Sequence, residues 1–216
     1  MTVGLVLGTM APMASAQTAP TPPAAVADAP AASPWSVSAS AATYFLPDDD
    51  NYVQPIVTVD RNALHLEGRY NYEDRNAFSA FIGWNLEAGS KVKLEVTPMF
   101  GAVIGDTNGV IPAIEATLSF RRFEAYTEGE YVIDVDDRAD RFLYNWFEAS
   151  VWASEWLRAG LVTQRTRTFQ LPGRSQRDVQ RGVLAGVSFR QLEGAVYFFN
   201  PGSDDLYVVA SIGVSF

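Results

Sequence analysis

The chain has 216 residues, a formal net charge of −9, no cysteine and a single histidine. Without cysteine there is no disulfide framework, Cys-based zinc site or thiol nucleophile, and the acidic balance argues against nucleic acid as a partner. Hydrophobic residues make up 48% of the chain, yet no run approaches the roughly 20 apolar residues a membrane-spanning helix needs, so any membrane role must come from strands.

In chain order, Val3 to Met13 is a short, mostly apolar run, and Ala14-Ser15-Ala16 is a small-residue cleavage site before Gln17. This predicts a secretory signal peptide over residues 1–16. No Lys or Arg lies near Met1, which points to a true start upstream or to a truncated chain. Gln17 to Pro34 is Ala/Pro-rich with Asp28 as its one charge, the composition of an extended linker.

From Trp35 on, apolar and polar residues alternate with the period of a strand. Trp35, Val37, Ala39, Ala41 and Phe45 share one face of the first strand. Val53, Val57 and Val59 share a face of the second, opposite Gln54, Thr58 and Asp60. The third sets Leu64, Leu66, Gly68, Tyr70 and Tyr72 against His65, Glu67, Arg69, Asn71 and Glu73. The fourth sets Phe78, Ala80, Ile82, Trp84 and Leu86 against Ser79, Gly83, Asn85 and Glu87; the fifth sets Val92, Leu94, Val96 and Phe100 against Lys93, Glu95, Thr97 and Met99. Ile114 to Phe120 and Phe123 to Ile133 continue the pattern. The eighth strand, Phe142 to Ala153, places Asn145 outward and Trp146 inward, a conflict that a β-bulge would resolve. The ninth runs from Leu157 to about Arg165, the tenth from Val179 to Arg190 and the eleventh from Leu192 to Phe199. In the last, Leu206, Val208, Ala210, Ile212, Val214 and Phe216 form an unbroken apolar face, and the chain ends on the aromatic.

An apolar strand ending on Phe resembles the C-terminal signature of bacterial outer-membrane β-barrels. The resemblance implies an all-β fold, a transmembrane antiparallel up-and-down β-barrel of twelve strands over residues 35–216, in the outer membrane of a Gram-negative cell. Phe216, Val214 and Ile212 are then the signal read by the barrel-assembly machinery, with outer-membrane lipids and lipopolysaccharide as the surroundings. An even strand count puts both termini on the periplasmic side. Tight turns at 61–63, 87–90, 121–122, 153–156 and 190–191 then face the periplasm. Longer polar loops at 47–51, 73–76, 105–109, 134–141, 166–177 and 200–205 face outward. Aromatics fall into two girdles, Trp35, Trp84, Phe120, Phe123, Phe189 and Phe216 at the inner interface and Phe45, Tyr70, Tyr72, Phe100, Tyr131 and Phe198 at the outer. A soluble barrel or sandwich would leave Glu67, Arg69, Glu95, Glu115 and Glu128 exposed instead.

The inward-facing, candidate pore-lining set is His65, Glu67, Arg69, Lys93, Glu95, Glu115, Arg121, Glu128, Glu130, Glu148, Arg158, Arg190 and Glu193. Two readings follow: these charges line a narrow, porin-like path for a small polar solute or ion, or they pair across the lumen and make a closed scaffold. A third is a lipid-modifying hydrolase at His65. Outer-membrane lipid hydrolases place a Ser two residues after the His, on the same strand face; here that position is Glu67, and His65 points into the lumen rather than toward lipid, so no catalytic residue and no cofactor are expected. The acidic loops around Asp48, Asp49 and Asp50 and around Asp134, Asp136, Asp137 and Asp140 match no calcium-loop spacing, and no metal site is assigned. Arg165, Arg167, Arg174 and Arg177 would meet those acidic loops or lipopolysaccharide phosphates, in a loop long enough to fold inward.

Overall fold

The computed structural model describes residues 35–47, 49–136, 141–170 and 174–216. The expected signal peptide (1–16) and linker (17–34), Asp48, Asp137 and Asp140 of the acidic loops, and the side chain of Arg174 lie outside the described residues.

The strands are β1 Ser36–Phe45, β2 Tyr52–Arg61, β3 Leu64–Tyr70, β4 Phe78–Trp84, β5 Leu86–Ala88, β6 Lys93–Ile104, β7 Gly109–Phe120, β8 Phe123–Asp134, β9 Phe142–Trp152, β10 Leu157–Gln170, β11 Arg174–Phe189, β12 Leu192–Phe199 and β13 Tyr207–Ser215. Sequence neighbours pair antiparallel, except that β4 and β5 both pair with β6, and β1 pairs with both β2 and β13, so the sheet closes on itself. β4 and β5 are two pieces of one barrel strand: Gly83 faces Met99 and Leu86 faces Val96 in one continuous register. The break falls opposite Pro98, which has no N–H to give the ladder. On its other edge the strand is intact, since the Asn85 N–H donates to the Ala63 carbonyl at 2.8 Å. Counted this way the barrel has twelve strands, as the alternation predicts.

Closure is finished by the last residue. The Phe216 N–H donates to the Val37 carbonyl at 2.8 Å, and the Val37 N–H returns to the Phe216 carbonyl at 3.2 Å. At the same end, two-residue turns at Asn62-Ala63, Arg121-Arg122 and Arg190-Gln191 join paired strands, each with a left-handed first residue (φ 54°, 56° and 57°).

Two expectations change. The loop expected over 166–177 is mostly strand: β10 and β11 stay paired from Leu157↔Val187 to Gln170↔Arg174. Beyond the bilayer a hairpin has no apolar face to keep, so its Thr, Gln and Arg residues carry no hydrophobic period and read as loop. The bulge expected in β9 is absent, since its register against β8 is constant from Phe123↔Val151 to Val132↔Phe142. Asn145 faces outward and turns its amide back to the sheet, donating to Thr127 Oγ1 at 2.9 Å and the Glu128 carbonyl at 2.8 Å. Local hydrogen bonding, rather than an extra residue, accommodates a polar group on the apolar face.

The outward positions expose an apolar belt around the whole barrel, including Leu66, Ile82, Leu118, Phe147, Leu161, Val183, Ile212 and Phe216. In water this would be one continuous hydrophobic patch far larger than soluble monomers carry; a bilayer covers it. The chain is therefore a transmembrane β-barrel of the bacterial outer membrane, with the tight turns and both ends of the described barrel on the periplasmic side and the longer connections outside.

Candidate functional site: a layered lumen

Inward side chains divide the lumen into three layers. The outermost is aromatic and aliphatic. Tyr44 stacks on Tyr52 (ring centroids 4.7 Å apart, 11° between planes) and lies 6.5 Å from Tyr207, which stacks on Phe199 at 4.7 Å. Trp146 meets Phe199 and Tyr197 edge-on at 5.4 and 5.2 Å. Tyr126, Tyr144, Val162, Leu184 and Val209 pack with them, and Ala77, Phe81, Met99, Val103, Ile111 and Val132 form a second cluster on the facing wall; Phe81 and Tyr126 carry these clusters down beside the charged layer, against Arg69 and Glu128. Phe199, Ile111 and Val132 have no exposed surface. These residues reach the lumen by strand parity: Tyr44 lies between the outward Thr43 and Phe45, and Tyr197 and Phe199 flank the outward Phe198.

The middle layer is built on Arg69, only 1% exposed. Its guanidinium bonds Glu67 on its own strand, reaches across the lumen to Glu128 at 2.5 Å and Glu130 at 3.2 Å, and comes within 3.7 Å of Glu115. Tyr72 and Phe81 sandwich it, with ring centroids 4.4 and 4.5 Å from Cζ. The Tyr72 hydroxyl donates to Glu128 at 2.7 Å. Tyr72 was expected in the outer girdle; β3 ends at Tyr70, Asn71 takes a left-handed φ of 55°, and this resets the parity so that Tyr72 enters the lumen. A second, smaller cluster centres on Arg158, which bonds Glu148 at 3.0 Å and lies 3.7 Å from Glu124. Trp146 Nε1 and the Tyr197 hydroxyl donate to the same Glu148 carboxylate at 2.8 and 3.0 Å.

The innermost layer is a polar vestibule of about 330 Å³ at the periplasmic end. His65 Nδ1 pairs with Asp60 Oδ1 at 2.8 Å; Asn85 donates to that same oxygen at 2.7 Å, and Thr97 Oγ1 donates to Asn85 at 2.7 Å. Lys93 sits nearer the mouth, bonded to Glu95 at 3.0 Å and Glu87 at 3.2 Å.

Of the thirteen residues expected inside, His65, Glu67, Arg69, Glu115, Glu128, Glu130, Glu148 and Arg158 are buried in the lumen, and Lys93, Glu95 and Glu193 are half-buried toward its periplasmic end. Arg121 and Arg190 are not lumenal. Both are exposed turn residues whose left-handed backbone swings the side chain back over the preceding Phe120 and Phe189, with Cζ 5.2 and 5.3 Å from the ring centroids. With those two cations removed, the interior is more acidic than the alternation suggested. His65 is oriented by Asp60, across the β2–β3 pair, rather than by Glu67, whose nearest oxygen is 3.7 Å from Nε2. No described hydroxyl is bonded to Nε2.

No family model matches the chain, and no curated protein matches it. Among solved structures it is similar to OccK5 (OpdH) of Pseudomonas aeruginosa, at 10% identity over 85% of this chain and 67% of that one, with a TM-score of 0.48. It is also similar to OmpT, an outer membrane protein of Vibrio cholerae: a loop L8 deletion mutant at 6% identity (84% of this chain, 98% of that one, TM-score 0.46) and the in-vitro folded form at 7% (84% and 96%, TM-score 0.43). Barrel closure and the apolar belt are what assign the fold.

Proposed function

We propose that this protein is a closed outer-membrane barrel, a structural or interaction scaffold rather than a standing pore. The observation that supports this most is the outer layer of the lumen, where stacked aromatic rings and buried aliphatic side chains from strands all round the barrel meet above the Arg69 cluster. Such packing is that of a protein interior, which supports a closed lumen. At the outer surface, Arg165, Arg167 and Arg177 on the β10–β11 hairpin suit contact with lipopolysaccharide phosphates. At the other end, Ile212, Val214 and Phe216 on the closing strand suit recognition by the barrel-assembly machinery. Planar-bilayer recording on refolded protein tests the reading: the expected result is no sustained conductance, and stable channel steps at low voltage overturn it.

A narrow, porin-like passage for small cations is the second reading. It is favoured by the wall formed by β1, β13, β12 and β11, whose inward residues Ser40, Ala42, Ser188, Ala195, Ser211 and Gly213 are small and border a further cavity of about 70 Å³. A shift of the neighbouring tyrosines would lengthen that space into a path, and the excess of lumen carboxylates would favour cations. Reversal potentials under a salt gradient, compared between wild type and the double variant Glu95→Gln/Glu115→Gln, test it: loss of cation preference in the variant supports it, and anion preference in wild type refutes it.

A further inference from the structure

The periplasmic vestibule has more acceptors than its own donors can fill. Glu115, 8% exposed, lines the cavity and makes no hydrogen bond; its nearest cation is Arg69 Nη2 at 3.7 Å. His65, 3% exposed, lines the same cavity, and its Nε2 has no hydrogen-bond partner. Asp60 spends one oxygen on both His65 and Asn85. Glu87 and Glu95 share a single ammonium, that of Lys93, at the rim. The Glu115 carboxylate faces the cavity without a donor of its own, and a bound group carrying positive charge and several N–H donors would supply charge-assisted bonds there.

A metal ion does not fit, because among the described residues no three His, Asp or Glu side chains converge at ligating distance. Spacing points to a longer ligand. Glu95 on β6 pairs with Thr117 and Thr97 pairs with Glu115 on β7, so Glu95 and Glu115 are diagonal neighbours on the inner face, with Cβ atoms roughly 7 Å apart. A short alkyl chain with an ammonium at each end spans that interval, and a volume of about 330 Å³ holds it.

We propose that the vestibule is a binding site for a small organic diamine entering from the periplasm, with one ammonium on Glu115 at the floor and the other on the Glu87–Glu95 rim. Asp60 and His65 form the side wall and fix the floor's shape. This site does not depend on whether the lumen conducts, so binding and conductance fail separately as tests.

His65 is the only histidine in the chain, so its imidazole resonances report the cavity without assignment work. The full chain, refolded in micelles with labelled histidine, is titrated with 1,4-diaminobutane by NMR. The expected result is a saturable shift of the His65 signals. Butylamine should bind at least tenfold more weakly, and Glu115→Gln should weaken diamine binding at least tenfold. Glu155→Gln, in an exposed turn, should bind as wild type. Thr117→Lys places a tethered ammonium in the vestibule and should abolish the shift even if Glu115→Gln folds poorly. A response equal to that of sodium chloride at the same ionic strength, or one unchanged in Thr117→Lys, overturns the proposal.

Discussion

Replacing Arg69 by Met keeps much of the aliphatic length between Tyr72 and Phe81 but removes the guanidinium that Glu67, Glu128 and Glu130 share. Glu67 and Glu128 lose a charge-assisted hydrogen bond each, Glu130 loses its partner at 3.2 Å, and Glu115 loses the cation at 3.7 Å. Removing one partner from a single buried ion pair costs about 3–5 kcal/mol, because the remaining charge is left desolvated. Here one cation serves several carboxylates, so the upper end, roughly 5 kcal/mol, is expected, three to four orders of magnitude in the folding constant. Glu130→Gln is the matched control. Glu130 bonds only Arg69, which keeps Glu67 and Glu128, so this variant should stay within about 1 kcal/mol of wild type. Urea unfolding of both variants in lipid vesicles, followed by tryptophan fluorescence, gives the comparison. If Arg69→Met costs no more than Glu130→Gln, the guanidinium is not what holds the carboxylates together, and the account of the middle layer is wrong.

Face assignment predicts that Ile82→Arg, on the exposed apolar belt, loses about 2–4 kcal/mol in the same unfolding assay. Thr117→Arg, whose side chain enters the acidic vestibule, should be tolerated; equal tolerance at both sites would argue against a bilayer around the barrel. Deleting Phe216 removes both backbone bonds to Val37 and should lower the yield of heat-modifiable, membrane-inserted protein; wild-type yield would refute the role given to the terminus. Glu73, in the loop after β3, has both carboxylate oxygens buried without a hydrogen bond, and burial raises its pKa, partly offset by Arg69. A raised folded-state pKa means that stability falls as pH climbs from the ordinary carboxylate range through that raised value. Glu73→Gln should therefore stabilise the barrel at pH 8, and the gain should vanish at pH 4; a gain independent of pH would show that charge is not its cause.

The lipid-facing half of this protein was legible in the sequence because a bilayer tolerates little else: Leu66, Ile82 and Leu118 had to alternate with something polar. In a meander, sequence order is also spatial order, so the strand neighbours followed from the count. The lumen was less legible for three physical reasons. Aromatics serve both as girdle and as lumen filling, so Tyr72 and Trp146 could be sorted only by backbone direction, which turned at Asn71 and, in β9, ran on without a bulge. Parity carried through a tight turn fails when the turn residue is left-handed, as at Arg121 and Arg190. The partners of Arg69 on β8 depend on which walls face each other across the closed barrel, and alternation along a strand contains no such information. The pairing of His65 with Asp60 needed only the β2–β3 register, and the short turn at Asn62-Ala63 was a usable signal for it.

The seam between β1 and β13 differs from every other pairing in this fold. All other neighbours are joined by a turn or loop, so their ladders can zip as soon as each hairpin forms. The seam joins Val37 to Phe216, from end to end of the described barrel, and is the contact of highest sequence separation. Its loop-closure entropy is paid at once and last. Before the seam forms, β1 and β13 are free edges, each able to accept a strand from another chain. The kinetic bottleneck and the window of vulnerability to aggregation thus coincide at one step, and an assembly factor that held the final strand would act on both.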